Sequence, residues 1–188
     1  MPLLFSATDA DHGSTFALTA NGTLWAWGGN DYGQLGDGTG AYRSLPVRVT
    51  GLANVASVVS GGLHSAAVRS DGTVWAWGFN LYGQVGDGTT ADRFSPVAVA
   101  SLSGVGSLAI GVNHTLALRS DGLVFAWGRN DKGQLGDGTR VDRSVPVAVI
   151  GLSNHNAFES LNAFFFTFFN TDVNLDRISG LKGRDITF

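Results

Sequence analysis

Two histidines in this sequence stand where an imidazole could act as a base or a metal ligand. His64 and His114 lie fifty residues apart, each just before a predicted strand. Nothing in the sequence fixes a catalytic or metal-binding partner for either ring. We therefore expect both histidines to form local hydrogen bonds rather than to do chemistry.

Three aspartates recur at the same interval, each in the tetrapeptide GDGT: Asp37, Asp87 and Asp137. Their carboxylates could surround a metal ion only if the three copies converge in space. An aspartate in a glycine-rich turn more commonly accepts hydrogen bonds from the nearby backbone. We expect each aspartate to cap its own turn.

Three arginines follow these turns at the same interval: Arg43, Arg93 and Arg143. Asp92 and Asp142 precede the second and third of them, whereas Tyr42 takes this place in the first copy. We expect solvated ion pairs between these neighbours, which contribute about 0–1 kcal/mol to stability.

Near the C-terminus, residues 172–176 read DVNLD and resemble the start of a calcium loop, with oxygen ligands at its first, third and fifth positions. The sixth position is Arg177 where glycine is expected, and the twelfth is Gly183 where glutamate is expected. A calcium-binding tail therefore remains an alternative only. No Ser-His-Asp set, phosphate loop or catalytic carboxylate pair is recognisable. We predict a protein that is not an enzyme and has no cofactor.

The elements that must position these side chains come in a repeat of fifty residues. The stretch at 75–89 reads WAWGFNLYGQVGDGT, and ten of its fifteen positions are identical in the copies at 25–39 and 125–139. Each repeat contains four short strand patterns, in the second repeat HSAAVR, TVWAWG, SPVAV and GVGSLAIG. Asp71-Gly72 is a hairpin signal between the first two. Four strands per repeat without helical periodicity are typical of a propeller blade.

We therefore predict an all-β fold, a partial β-propeller of three four-stranded blades followed by a degenerate C-terminal segment. The propeller-type repeats occupy 1–154, at about 14–63, 64–113 and 114–154. We expect residues 155–188 to be a divergent, phenylalanine-rich tail that forms half of a degenerate fourth blade, with an amphipathic helix as the alternative.

The constant loop residues are expected to serve the fold. The glycines should supply backbone angles that side chains forbid, and Asn30 should cap a local turn. The tryptophans at one position of each repeat should fill gaps between blades; they are Trp27, Trp77 and Trp127.

The segment from Asp71 to Val99, DGTVWAWGFNLYGQVGDGTTADRFSPVAV, strongly resembles the regulator of chromosome condensation repeat family, in its bacterial tandem form. The resemblance covers about residues 14–154. It implies a propeller, typically of seven blades, that acts as an interaction platform. The eponymous protein catalyses nucleotide exchange on the GTPase Ran, and a bacterial relative inhibits β-lactamases.

Only three repeats are present, with no insertion that could act as the wedge of the Ran exchanger. We therefore predict a non-enzymatic module for protein–protein interaction, a fragment of a longer propeller. A nucleotide-exchange regulator of a small GTPase and an enzyme-inhibitor propeller are the alternatives.

Charge and composition limit the classes of partner that this chain is expected to bind. The 12 basic and 15 acidic residues are spread singly, so we expect no nucleic-acid binding. No signal peptide or membrane-spanning segment is predicted, and the absence of cysteine leaves the compartment open. A protein partner is expected, with self-association through open blade faces as a further possibility.

Some positions of the loop differ between its three copies, so the fold does not fix their side chains, which can instead contribute to a binding surface. They carry aromatic, aliphatic and basic side chains of the kind that anchor interfaces. We predict partner binding by Tyr32, Phe79, Leu81, Tyr82, Arg129 and Lys132.

Overall fold

The chain folds into three four-stranded antiparallel sheets in a computed structural model that describes residues 13–152 and the backbone of 3–6. The first sheet contains β1 (Leu3–Ser6), β2 (Ser14–Thr19), β3 (Leu24–Gly28) and β4 (Arg43–Arg48). The second contains β5 (Val55–Ser60), β6 (His64–Arg69), β7 (Val74–Gly78) and β8 (Arg93–Ala98). The third contains β9 (Val105–Ile110), β10 (His114–Arg119), β11 (Val124–Gly128) and β12 (Arg143–Ala148). Across these ranges no helix occurs that could span a bilayer. The predicted all-β class and the blade-like sheets are confirmed. The tail from 155 onward, with its calcium-like motif, lies outside the described residues.

The hairpin between β6 and β7 turns at Asp71-Gly72, as the sequence predicts. Gly72 has a φ of +75°, which favours glycine. The Asp71 carboxylate accepts hydrogen bonds from the backbone N–H and the hydroxyl of Thr73, at 3.0 and 2.6 Å. This turn sets the register in which His64 pairs with Gly78.

The predicted fourth strand of the first and of the second repeat lies in a different sheet from the one expected. Val105–Ile110 pairs with β10 and opens the third sheet instead of closing the second. Only residues 111–113 separate β9 from β10, and the Gly111 N–H donates to the His114 carbonyl at 2.9 Å. This local hairpin fixes the pairing, so the longer connection at 99–104 crosses between sheets. A sheet thus combines the last strand of one sequence repeat with the first three of the next.

Apolar side chains on β7 alternate between two cores. Val74 and Ala76 belong to a cluster with Trp127 of the third sheet. Trp77 belongs to a cluster with residues of the first sheet, where it meets Phe16 edge to face at 6.0 Å between ring centroids. The middle sheet is therefore buried on both faces, and each sheet is stabilised by its neighbours.

A tryptophan locks each contact between neighbouring sheets, which we call a seam. At the first seam the Trp77 indole N–H donates to the Gln34 carbonyl at 2.7 Å, and the Ser65 hydroxyl donates to the same oxygen at 3.0 Å. The second seam repeats this arrangement with Trp127, Thr115 and Gln84. Trp77 and Trp127 are fully buried, which confirms that they fill the gaps between blades. Trp27 is partly exposed.

His64 also belongs to the second seam. Its Nε2 lies 2.9 Å from the Thr115 hydroxyl of the next sheet, so the expectation of a local hydrogen bond is wrong for this residue. The ring is fully buried, and its Nδ1 has no hydrogen-bond partner among the described residues. Burial, together with the nearby His114, lowers the pKa of His64 to about 3. Burial lowers the pKa of His114 as well.

Replacing Gly86 by valine should destabilise the protein by roughly 2–4 kcal/mol. Gly86 has a φ of +81°, and a Cβ on it would lie 2.5 Å from the Trp127 Nε1. Gly51→Val is the matched control, because Gly51 has a φ of +68° with nothing within 4 Å of a Cβ. Thermal unfolding of both variants separates the seam clash from backbone strain. Equal losses in the two would contradict the role of the seam.

Stability should decrease as the pH is lowered below 6.5. The unfolded His64 takes up its proton near pH 6.5 and the folded one near 3, so the unfolded state binds the extra proton between these values. The loss is at most about 1.4 kcal/mol per pH unit for one group. The pKa values of Asp37, Asp87 and Asp137 are lowered from 3.8, so protonation of these carboxylates reduces stability mainly near and below that pH, after most of the unfolded His64 is already protonated.

His64→Gln keeps a polar side chain at the seam without an imidazole. Urea unfolding of this variant should show a smaller change in stability between pH 6.5 and 4.5 than the wild type does. An unchanged pH dependence in His64→Gln would show that the buried ring is not its source.

Candidate functional site

The six predicted binding residues lie in the loops that follow the third strand of each sheet, at 29–42, 79–92 and 129–142. A buried asparagine organises each loop. The Asn30 side-chain oxygen accepts a hydrogen bond from the Leu35 N–H at 2.9 Å, and its amide donates to the carbonyls of Thr39 and Ala41 at 2.9 and 3.0 Å. Asn80 and Asn130 make the equivalent bonds. The loop conformation is thereby fixed from inside, as expected for Asn30.

The aspartate of GDGT caps its own turn, as predicted. Asp37 Oδ1 accepts hydrogen bonds from the Thr39 N–H at 2.9 Å and from the Thr39 hydroxyl at 2.8 Å, and Oδ2 accepts one from Arg43 Nε at 2.6 Å. Partial burial acts to raise the pKa of Asp37, but the bonds from Thr39 and Arg43 outweigh it and hold the pKa below its ordinary value. In the third copy, bonds from Thr139, opposed by desolvation and reinforced by Arg143, hold the pKa of Asp137 well below its ordinary value.

The expected pairing of the arginines with Asp92 and Asp142 is wrong. Arg93 and Arg143 begin the outer strand of their sheets and reach back to Asp87 and Asp137 instead. The other two carboxylates accept hydrogen bonds from backbone N–H groups, Asp92 from Asn80 at 2.8 Å and Asp142 from Asn130 at 2.6 Å. The GDGT carboxylates are thus held in separate loops, and residues 13–152 contain no cluster of three or more acidic or histidine side chains that could hold a metal ion.

Four of the variable side chains form a continuous row, which we call the aromatic ladder. The rings of Tyr32 and Phe79 meet edge to face at 5.0 Å, and those of Phe79 and Tyr82 at 6.3 Å. The Arg129 guanidinium lies over Tyr82 at 5.1 Å from the ring centroid, a cation–π contact. The ladder crosses both seams and joins the loops of all three sheets.

The ladder follows one geometric rule. The side chain at the fourth loop position of one sheet meets the side chain at the first loop position of the next, so Tyr32 meets Phe79 and Tyr82 meets Arg129. Backbone bonds hold both positions: the Gln34 side chain accepts the Tyr32 N–H at 2.9 Å, and the Phe79 N–H donates to the Leu63 carbonyl at 2.9 Å. The same pair of loop positions therefore meets at both seams, because the loops of neighbouring sheets stack in the same way at each.

Leu81 and Lys132 occupy the same loops without joining these ring contacts. Leu81 is 59% exposed, and the Lys132 side chain is 83% exposed, with its ammonium 3.8 Å from Asp131. Asp131 also pairs with Arg129 at 2.9 Å. Sequence reasoning missed Asp131, although its position is variable in the same way, since Leu81 stands there in the second copy. Sequence reasoning also missed Tyr42 as a surface residue, although Asp92 and Asp142 take its place in the other copies. Tyr42 is 66% exposed, and its hydroxyl donates a hydrogen bond to Asp31 at 2.6 Å.

Solved propeller structures share this fold. Human WBSCR16 is 27% identical over 73% of this chain and 37% of its own, with a TM-score of 0.64. Prp20p of Saccharomyces cerevisiae, described with its binding to Gsp1p and histones, is 24% identical over 82% of this chain and 39% of its own, with a TM-score of 0.67. Yeast RCC1 (Prp20), in its complex with Kap60, is 24% identical over 78% of this chain and 36% of its own, with a TM-score of 0.65. The chain spans less than two fifths of the length of each of these proteins.

The family assignment comes from the repeat itself. The model of the regulator of chromosome condensation (RCC1) repeat matches residues 21–68, 71–118 and 121–160, which is more than half of the chain. A second model of the same repeat matches residues 55–84 and 107–134. The matched segments contain the loops that carry the aromatic ladder and the tryptophans that lock the seams, and the chain belongs to the RCC1 repeat family.

Proposed function

We propose that this chain is a non-enzymatic β-propeller module that binds another protein through the aromatic ladder, as part of a longer propeller. The observation that carries the proposal is the continuous row from Tyr32 through Phe79 and Tyr82 to Arg129, built from positions that the fold leaves variable.

The chemistry of the ladder suits a protein surface. Tyrosine and arginine are enriched among the residues that dominate binding energy, and aromatic rings offer large contact areas with few rotatable bonds. Tyr32 is 37% exposed, and Phe79, Tyr82 and Arg129 are partly exposed, so their ring edges and the guanidinium can be covered by a partner.

The loops beneath the ladder are rigid, which favours binding. Asn80 and Asp87 fix the second loop from inside, and Gln84 holds the Tyr82 backbone at 2.9 Å. A surface held in its bound conformation loses little conformational entropy when a partner docks. These bonds therefore preorganise the backbone that carries the ladder.

The similarity to Prp20p supports a protein as the class of partner, because Prp20p binds Gsp1p and histones. Nucleotide exchange on a small GTPase remains an alternative without a specific observation in its favour. The loops 29–42, 79–92 and 129–142 are equal in length and carry no inserted wedge in the part of the chain that the structure describes.

Affinity capture with the full chain from a lysate of its source cells should recover a protein whose yield falls at least about tenfold with Phe79→Ala or Arg129→Ala. Arg119→Ala is the matched control. Arg119 also lies over an aromatic ring, that of Phe125 at 5.6 Å, and pairs with an aspartate two residues later, but at the opposite end of the same sheet.

Thermal melts should show that the two ladder variants and Arg119→Ala remain folded. Quantitative mass spectrometry of the captured proteins then decides the proposal. A set of partners retained equally by Phe79→Ala, Arg129→Ala and the control would contradict it.

A further inference from the structure

The carboxylate of Asp31 differs from the other carboxylates of residues 13–152 in what it binds. Most of the others pair with an arginine: Asp37, Asp71, Asp87, Asp121, Asp131 and Asp137. The remaining two, Asp92 and Asp142, accept a hydrogen bond from a backbone N–H. Across this range of the chain, Asp31 alone has neither a cationic partner nor a backbone donor, and the Tyr42 hydroxyl is the group that binds it.

The Tyr42 hydroxyl leaves the negative charge of Asp31 uncompensated. The hydrogen bond to Asp31 raises the pKa of Tyr42, so the hydroxyl stays protonated at neutral pH and donates as a neutral group. Asp31 therefore presents a net negative charge at the surface of the first loop.

The position of Asp31 faces outward in the loop itself. Leu81 occupies the same position in the second loop and is 59% exposed, although its sheet packs against a neighbour on either face. The exposure of this position is therefore a property of the loop and does not depend on a missing neighbour.

Two exposed tyrosines lie beside this carboxylate. Tyr42 contacts Asp31 directly, and Tyr32 follows Asp31 in the chain and begins the aromatic ladder. A carboxylate attracts an ammonium or guanidinium group through its charge, and the face of an aromatic ring attracts it through the cation–π interaction. The same small surface thus offers both kinds of attraction to a cation.

The third loop shows how a cation is held at the equivalent position. Arg129 donates to Asp131 at 2.9 Å, and the same guanidinium lies over the Tyr82 ring at 5.1 Å from its centroid. One side chain therefore satisfies a carboxylate and an aromatic face together. The first loop has Gly29 where the third has Arg129, so it supplies no such cation of its own.

We propose that Asp31, Tyr32 and Tyr42 form a subsite for a lysine or arginine side chain of the protein partner. The cation pairs with Asp31, and the stem of the same side chain lies along a tyrosine ring. The inference rests on the proposed function, since it assigns the chemistry of the partner at one end of the ladder. Phe79, which meets Tyr32, and the exposed Leu81 extend an apolar surface from the subsite, so the partner carries an apolar residue next to the basic one.

Selection of a library of random peptides on the immobilised full chain tests the proposal. Peptides enriched on the wild type should share a lysine or arginine next to an apolar residue. Asp31→Lys should instead enrich peptides with an aspartate or glutamate in place of the basic residue, because it reverses the charge of the subsite. Asp121→Asn is the matched control, since Asp121 is an exposed carboxylate at the opposite end of its sheet, and it should enrich the same peptides as the wild type.

Fluorescence anisotropy of the peptides enriched on the wild type measures the effect. Asp31→Asn keeps an acceptor for the Tyr42 hydroxyl but removes the charge, so it should weaken peptide binding at least about fivefold. It should also make the affinity less dependent on salt concentration, a change that loss of packing alone would not cause. Asp121→Asn should change neither quantity, and thermal melts establish that each variant is folded.

Phe79→Ala separates this inference from the proposed function. Peptides that lose affinity with Phe79→Ala but bind Asp31→Asn as tightly as the wild type would overturn the subsite and leave the ladder as the binding surface. Peptides weakened by Asp31→Asn and not by Phe79→Ala would support the subsite and contradict binding through the ladder. A library from which no peptide is enriched would contradict both.

Discussion

The hydrogen bond from a tryptophan indole to a glutamine backbone carbonyl is the interaction on which the arrangement of this protein depends. Trp77 and Trp127 are anchored in the core of one sheet, and Gln34 and Gln84 belong to the loop of the preceding one. The bond therefore fixes a surface loop to the interior of a neighbouring sheet. Residues of successive repeats, such as Tyr32 and Phe79, come into contact where this bond and the shared apolar core hold two sheets together.

Within each loop, constant residues form the scaffold and leave variable residues for the surface. Asn30 satisfies backbone groups that would otherwise be buried without partners, and Asp37 is neutralised by Arg43. The residues that most resemble catalytic or metal-binding groups are thereby occupied in holding the turn. The side chains that do not hold the turn, Tyr32 and Phe79 among them, are the ones that contact each other in the ladder.

Much of the fold follows from the sequence, because the fifty-residue period, the Asp71-Gly72 hairpin and the buried tryptophans are local or repeated signals. The sequence predicts the six ladder and loop residues as a set but not as a contiguous row, since Tyr32 and Phe79 meet only across a seam. The sheet to which Val105–Ile110 belongs was misassigned, because a repeat has no inherent starting point. The partner of Arg93 was also wrong, since both Asp87 and Asp92 are near in sequence and only the loop geometry distinguishes them.

The staggered contact rule of the ladder affects how such a surface can change during evolution. Each ladder contact across a seam joins the fourth loop position of one blade to the first loop position of the next, so no single blade encodes a complete contact of this kind. Duplication, loss or exchange of one blade therefore alters two junctions at once and creates pairings that existed in neither parent. Recombination between blades can diversify this surface without any point mutation, while the seams that hold the fold remain the same.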